Sequence, residues 1–187
     1  MNDAWEPLRP VDAVELLREL DASWWIAGGW ALDLFLGFES RPHKDLDVAV
    51  LRRDAARVRD ALPGWEVCVA HDGALEPWDG APLPDARNTL WARPRGAERW
   101  HLELVLETAD GETWRYRRDP RVTLPLAAFG PAGGALPPEV VLLFKSRDPG
   151  YEHDWNAVAP RLDAGARAWL ANAVALAHSG SPYRKLL

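Results

Sequence analysis

Hydrophobic and polar positions alternate along this chain with two periods, and the switch between them outlines its elements. From Asp12 to about Leu20, Val14, Leu17 and Leu20 share a helical face, and Asp12 with Glu15 three residues on reads as a capping box. "SWWIAGG" predicts a short apolar strand ending in two glycines, and "WALDLFLG" a two-turn helix with Leu32, Phe35 and Leu36 inward and Gly37 as its stop. After the polar loop "FESRPHK", "DLDVAVL" has strand period, with Leu46, Val48 and Val50 on one face and Asp45, Asp47 and Ala49 on the other. "RDAARVRDAL" predicts a helix and "WEVCVAH" a strand. Residues 72–87 are rich in Gly, Pro and Asp and predict a loop able to act as a lid.

"TLWARP", "WHLELVLE" and "TWRYRR" predict three consecutive antiparallel strands. The middle one turns Trp100, Leu102, Leu104 and Leu106 one way and His101, Glu103, Val105 and Glu107 the other. Beyond Pro120 the period becomes helical: "GPAGGALPP" leads into "EVVLLFKSR", "HDWNAVAPRL" and "AGARAWLANAVALAH". The expected organisation is therefore an α/β part, residues 1–128, with a helical part, residues 129–187, packed on it as one unit. No internal repeat is present.

Composition narrows the function classes. The 187 residues suit one core, and 48% hydrophobic with 27% charged is a globular profile. The net charge of −6 and the lack of a dense Lys/Arg run argue against a long nucleic acid as partner. The acidic balance, with Glu76, Asp79 and Asp85 in the expected loop, leans towards a small cationic partner. Cys68, the one cysteine, reads as a small core residue. No signal peptide or membrane span is evident, so the cytoplasm is the expected location. Of the eleven Trp, Trp24, Trp25 and Trp30 read as core, while Trp78 and Trp91, in or beside the long loop, are better placed to meet a substrate. Oligomeric state is not legible.

The chemistry concentrates in the acids. Residues i and i+2 of a strand face the same way, which would set Asp45 and Asp47 about 7 Å apart on one face. Such a pair is costly without a cation, and Mg²⁺ suits hard oxygen ligands. Glu103, on the polar face of a nearby strand, offers a third carboxylate, with Glu107 its nearest competitor. Three acids on one face can hold two Mg²⁺ and support phosphoryl or nucleotidyl transfer. Gly28-Gly29, between a strand and a helix start, would let backbone N–H groups approach phosphates.

Together, "GGWALDLFLG", "SRPHKDLDV" and the spacing of fifteen residues between Gly29 and Asp45 resemble the polymerase-β-like nucleotidyltransferase superfamily, most of all the small nucleotidyltransferases that modify aminoglycosides and lincosamides. The specific likeness covers residues 24–50. A looser one extends through 101–107 and "PPEVVLLFKSRD" to "HDW". The resemblance implies a short mixed sheet flanked by helices, with Asp45, Asp47 and Glu103 as the catalytic and metal-binding acids. It implies nucleotide contacts from Gly28, Gly29, Arg41, His43 and Lys145. Glu103 stands where many relatives have Asp, and it would complete the metal site or take the acceptor's proton. His153-Asp154 falls where a basic–acidic pair is expected, with its role open.

The implied reaction moves a nucleoside monophosphate, AMP first, from a Mg²⁺-bound nucleoside triphosphate to a hydroxyl of a small acceptor such as an aminoglycoside, releasing pyrophosphate. Two alternatives remain at this stage: a non-catalytic nucleotide-binding protein or toxin–antitoxin partner on the same fold, and an enzyme that nucleotidylates a protein or an RNA end. Arg115, Arg117 and Arg118 are either a basic strand end near phosphate or a charged edge. Ala49 does not fit a dehalogenase-like phosphatase, "HD" at 153 stands alone for a His-Asp hydrolase, and no nucleophile elbow is present.

Overall fold

A computed structural model describes residues 4–187. Its centre is an eight-stranded mixed sheet. Six strands follow the order β1 (Trp24–Ile26), β2 (Asp47–Leu51), β6 (Leu102–Asp110), β5 (Thr89–Pro94), β3 (Trp65–His71), β4 (Ala74–Pro77); β7 (Thr113–Arg115) pairs with β6 and β8 (Thr123–Pro125) with β7. β2 and β6 run parallel, while the other strand pairs run antiparallel.

The two faces of the sheet bury different sets of side chains, as strand period requires. On one face Val48, Val50, Leu90, Ala92, Leu102, Leu104 and Leu106 pack with Ala13 and Leu17 of the α1 region (α1, Pro10–Leu16) and with Ala55 and Val58 of α3 (Ala55–Asp60). On the other, Ala49 and Leu51 pack with α2 (Gly28–Leu36) and with α4 (Pro138–Phe144), α5 (Glu152–Val158) and α6 (Ala164–Ala177). The C-terminal helices thus share a core with β1, β2 and α2. The Gly/Pro-rich connector reinforces this union: Gly133 N–H donates to Trp24 O, Ile26 N–H to Gly134 O and Leu136 N–H to Ile26 O, each at 2.8 Å.

Several local expectations need correction. The first helix begins at Pro10, and its inward face is Ala13, Leu17 and Leu20, an i, i+4, i+7 row, which leaves Val14 exposed. The Asp12 carboxylate accepts from Arg9 N–H at 3.0 Å, so the box sits three residues upstream of the expected one. In α2 the buried positions are Ala31, Leu32 and Asp33, while Phe35 is exposed. The expected lid is partly strand: β4 pairs with β3, and Arg52 donates to the Leu83, Pro84 and Arg87 carbonyls, pinning the remainder of the segment to the start of α3. Two of its acids are engaged, Glu76 by Arg87 and Asp79 by Ala81 N–H, while Asp85 is exposed with Arg52 3.8 Å away. Trp78 is buried and donates to Ala81 O, a packing role.

Candidate active site

The site begins with the pairing of β2 and β6. Their parallel register makes Asp47 and Glu103 direct partners and places Leu51 opposite Glu107 on the same face. Ala27 N–H donates to Asp47 O at 2.8 Å and Glu103 N–H to Leu46 O at 2.9 Å, fixing three backbone segments around the acids. Together with Gly28, Arg117 and Lys145 they line a cleft of about 200 Å³.

Gly28 opens α2 in the left-handed region, φ +58°, and a Cβ there would fall onto the Asp47 carboxylate. At Gly29 an added Cβ would meet Arg41 Nη2 at 2.6 Å and the His43 ring at 2.7 Å. The close approach that demands both glycines is therefore made first by the chain's own side chains.

The Asp47 carboxylate is met by no hydrogen-bond donor among the described residues, and burial, then the nearby Asp45, pushes it up to about 6. Glu103 is pushed up to about 8 by burial and then by Asp47 and Asp45, opposed by the Trp91 indole N–H, which donates to Glu103 Oε2 at 3.0 Å. Both shifts have the same root: carboxylates drawn together in a half-buried place without an equal number of counter-charges. Asp45 does not lie on the strand. β2 starts at Asp47, and Asp45 lies in the preceding loop, near enough for the two carboxylates to act on each other. Among the described residues no three His, Cys, Asp or Glu side chains already converge as a ligand cluster. The donor chemistry still fits a hard divalent cation, because Asp47 lacks a donor of its own and Asp45 and Glu103 both bear on it.

Glu107, the alternative third acid, is otherwise occupied. It is 1% exposed and accepts from Trp114 Nε1 at 2.8 Å and Arg117 at 2.9 Å. Arg117 lies over the Phe144 ring, 4.5 Å from its centroid, and Arg118 donates to Phe144 O, so these two arginines border the cleft. Arg115 instead pairs with Asp110 at the surface.

Lys145 lies just past the end of α4 and reaches the cleft, with Nζ 2.9 Å from Asp154 Oδ2 and 4.3 Å from the Tyr151 ring centroid. Arg41 grips the same carboxylate, Nε to Oδ1 at 3.0 Å and Nη2 to Oδ2 at 3.3 Å. Burial alone would raise the Asp154 carboxyl, yet Arg41 and Lys145 hold it below its usual range. His153 is exposed, so Asp154 carries that pair's structural role. His43 is not placed to meet a ligand: its side chain is buried, Nε2 lies 2.6 Å from Asp33 Oδ2, and its ring stacks on Trp30 at 4.2 Å. Ser40 Oγ donates to the other Asp33 oxygen. Sequence reasoning missed Asp33, whose available signal was an acid inside an apolar helix face, and it left the role of Asp154 open.

The mixed sheet with its flanking helices is a fold found in solved nucleotidyltransferases. More narrowly, residues 11–73 match the family model described as aminoglycoside-2''-adenylyltransferase. Three solved structures share the fold. A crystal structure of ANT(2'')-Ia in complex with adenylyl-2''-tobramycin aligns at 16% identity over 87% of this chain and 93% of that one, TM-score 0.58. A solution structure of the antibiotic-resistance factor ANT(2'')-Ia aligns at 16% identity over 91% of each chain, TM-score 0.59. The lincomycin-bound crystal structure of the lincosamide antibiotic adenylyltransferase LnuA aligns at 17% identity over 87% of this chain and 92% of that one, TM-score 0.50. No curated protein matches the chain in sequence. These findings bear out the resemblance and the fold class. Among the described residues no helix is long and apolar enough to cross a membrane.

Proposed function

We propose that this chain is a nucleotidyltransferase that moves a nucleoside monophosphate, AMP first, from a nucleoside triphosphate to a hydroxyl of a small antibiotic-like acceptor, releasing pyrophosphate. The observation that carries the reading is the Asp47–Glu103 register pair facing Gly28, whose missing side chain gives the Asp47 carboxylate its place. The family match over residues 11–73 and the adenylylated tobramycin bound by the fold neighbour favour an aminoglycoside as acceptor class and AMP as the transferred group.

Asp47, Asp45 and Glu103 would hold Mg²⁺, two ions on the expectation from the three acids. Bound there, the metal would offset negative charge at the reacting phosphate. The chain's own groups do the rest. Gly28 and Gly29 open α2, so the first N–H groups of that helix face the cleft and suit phosphate oxygens. Lys145, with Arg41 behind it, supplies positive charge at the same end. Glu103 has one oxygen engaged by Trp91 and leaves Oε1 free to take the proton of the acceptor hydroxyl. The hydroxyl oxygen then bonds to the α-phosphorus as the bond to the pyrophosphate oxygen breaks.

The test is mass spectrometry of aminoglycosides and lincosamides incubated with each of the four nucleoside triphosphates and Mg²⁺. The expected product is one acceptor heavier by one nucleoside monophosphate. Absence of any adduct, with the triphosphates left intact, overturns the reading.

A further inference from the structure

The Arg41–Asp154–Lys145 cluster has a geometry that phosphate binding alone does not require. Two cations come from distant stretches, the loop before β2 and the end of α4, and meet on one carboxylate that is 5% exposed. Both lie close to Asp47: Lys145 lines the same cleft, and Arg41 sits against Gly29 as the Asp47 carboxylate sits against Gly28. An ammonium and a guanidinium beside an Asp47 that lacks a donor would, if free, swing onto it and fill the space a metal needs. Asp154 prevents this. It grips Arg41 through two hydrogen bonds and Lys145 through one ion pair, while the Tyr151 ring covers a further side of the ammonium. The cluster keeps a net charge of +1, turned towards the cleft.

We propose that Asp154 is a positioning residue: it holds Arg41 and Lys145 apart from Asp47, and so keeps the acid pair open for Mg²⁺ and the cations ready for the triphosphate. The inference rests on the nucleotidyltransferase reading. Asp154 is not among the residues that line the cleft. Its loss therefore acts on metal and triphosphate binding and leaves acceptor binding as it is.

Direct binding tests this without turnover. Isothermal titration of a triphosphate analogue with a non-hydrolysable α,β-methylene bridge, with Mg²⁺ varied, gives the dissociation constant and the Mg²⁺ level for half-saturation. For Asp154→Asn, nearly isosteric but uncharged, the expected result is roughly tenfold weaker analogue binding and a higher Mg²⁺ requirement. The KM for the acceptor stays unchanged. Should Asp154→Asn not fold, Asp154→Glu decides. It keeps the charge but displaces the carboxylate by one methylene, and weaker analogue binding at a near-native melting temperature supports the inference. Wild-type affinity and Mg²⁺ requirement in a folded variant, with only the melting temperature lowered, overturn it and leave Asp154 a structural ion pair. A wild-type protein that binds no triphosphate overturns the nucleotidyltransferase reading itself, so the two failures are distinguishable.

Discussion

Two ends of one cleft treat charge in opposite ways. At the β2–β6 end, Asp47 and Glu103 are register partners with no cation bound directly to either, and their carboxyls are pushed up to about 6 and about 8. At the end formed by β6, α4 and α5, the two buried acids are gripped: Glu107 by Arg117 and Trp114, Asp154 by Arg41 and Lys145. Glu103 and Glu107 show the contrast most simply, because they lie four residues apart on one strand and one face. The chain gives Glu107 both a cation and an indole N–H, and Glu103 the indole N–H of Trp91 alone. Unpaired charge in a half-buried place marks the functional end better than the mere presence of carboxylates does.

The comparison can be broken by substitution. Asp47→Asn should lower transfer by about 10³-fold or more, since it removes the central metal-binding group. The same change should leave the melting temperature equal or higher, because it relieves repulsion with Asp45 and Glu103. Steady-state turnover beside calorimetry reads both, and a lower melting temperature would contradict the contrast. Glu107→Ala should do the reverse. Leaving Arg117 and Trp114 without their partner should cost about 3 kcal/mol of stability, measurable by urea unfolding.

Gly28→Ala sits between these extremes, since its added methyl meets Asp47 in a left-handed backbone. A loss of about 1–3 kcal/mol is expected by the same measurement, together with weakened metal binding. The pH response sharpens the picture further. A carboxyl whose folded value is raised binds more protons folded than unfolded, so its contribution is intact below about pH 4 and is lost as pH rises through 6 for Asp47 and 8 for Glu103. Melting temperature without metal should therefore fall across that window, and saturating Mg²⁺ should flatten the fall. The smallest effect belongs to the exposed Arg18–Glu15 pair, where Arg18→Ala should change stability by less than about 0.5 kcal/mol in the same unfolding experiment.

How far each feature could be read from the sequence depends on how local its cause is. Gly28, Asp47 and the Glu103 face could be read because turn geometry and strand alternation act within a few residues. Asp45 falls in the loop just before β2, because the ladder with β6 starts only where Asp47 meets Glu103. His43 looked like a ligand group because nothing near it in sequence announces the Asp33 carboxylate and Trp30 ring that enclose it. For Asp154 the position was legible but the role was not, for a plainer reason. Its partner Arg41 lies 113 residues away, and only the shared core of α2, α4 and α5 brings them together. The stretch 72–87 read as free loop because its Gly and Pro content hides a strand that depends on pairing with β3.

The connector between the two halves has a mechanical consequence. A run such as "GPAGGALPP" resembles a hinge, yet here it is laid along β1 by three backbone hydrogen bonds and behaves as an added margin of the sheet. A protease that nicked the chain at Gly133 would leave two fragments still joined, and a sheet edge that could recruit another molecule is already closed. The seam thus ties the C-terminal helices to the sheet a second time, beside the core they share with it.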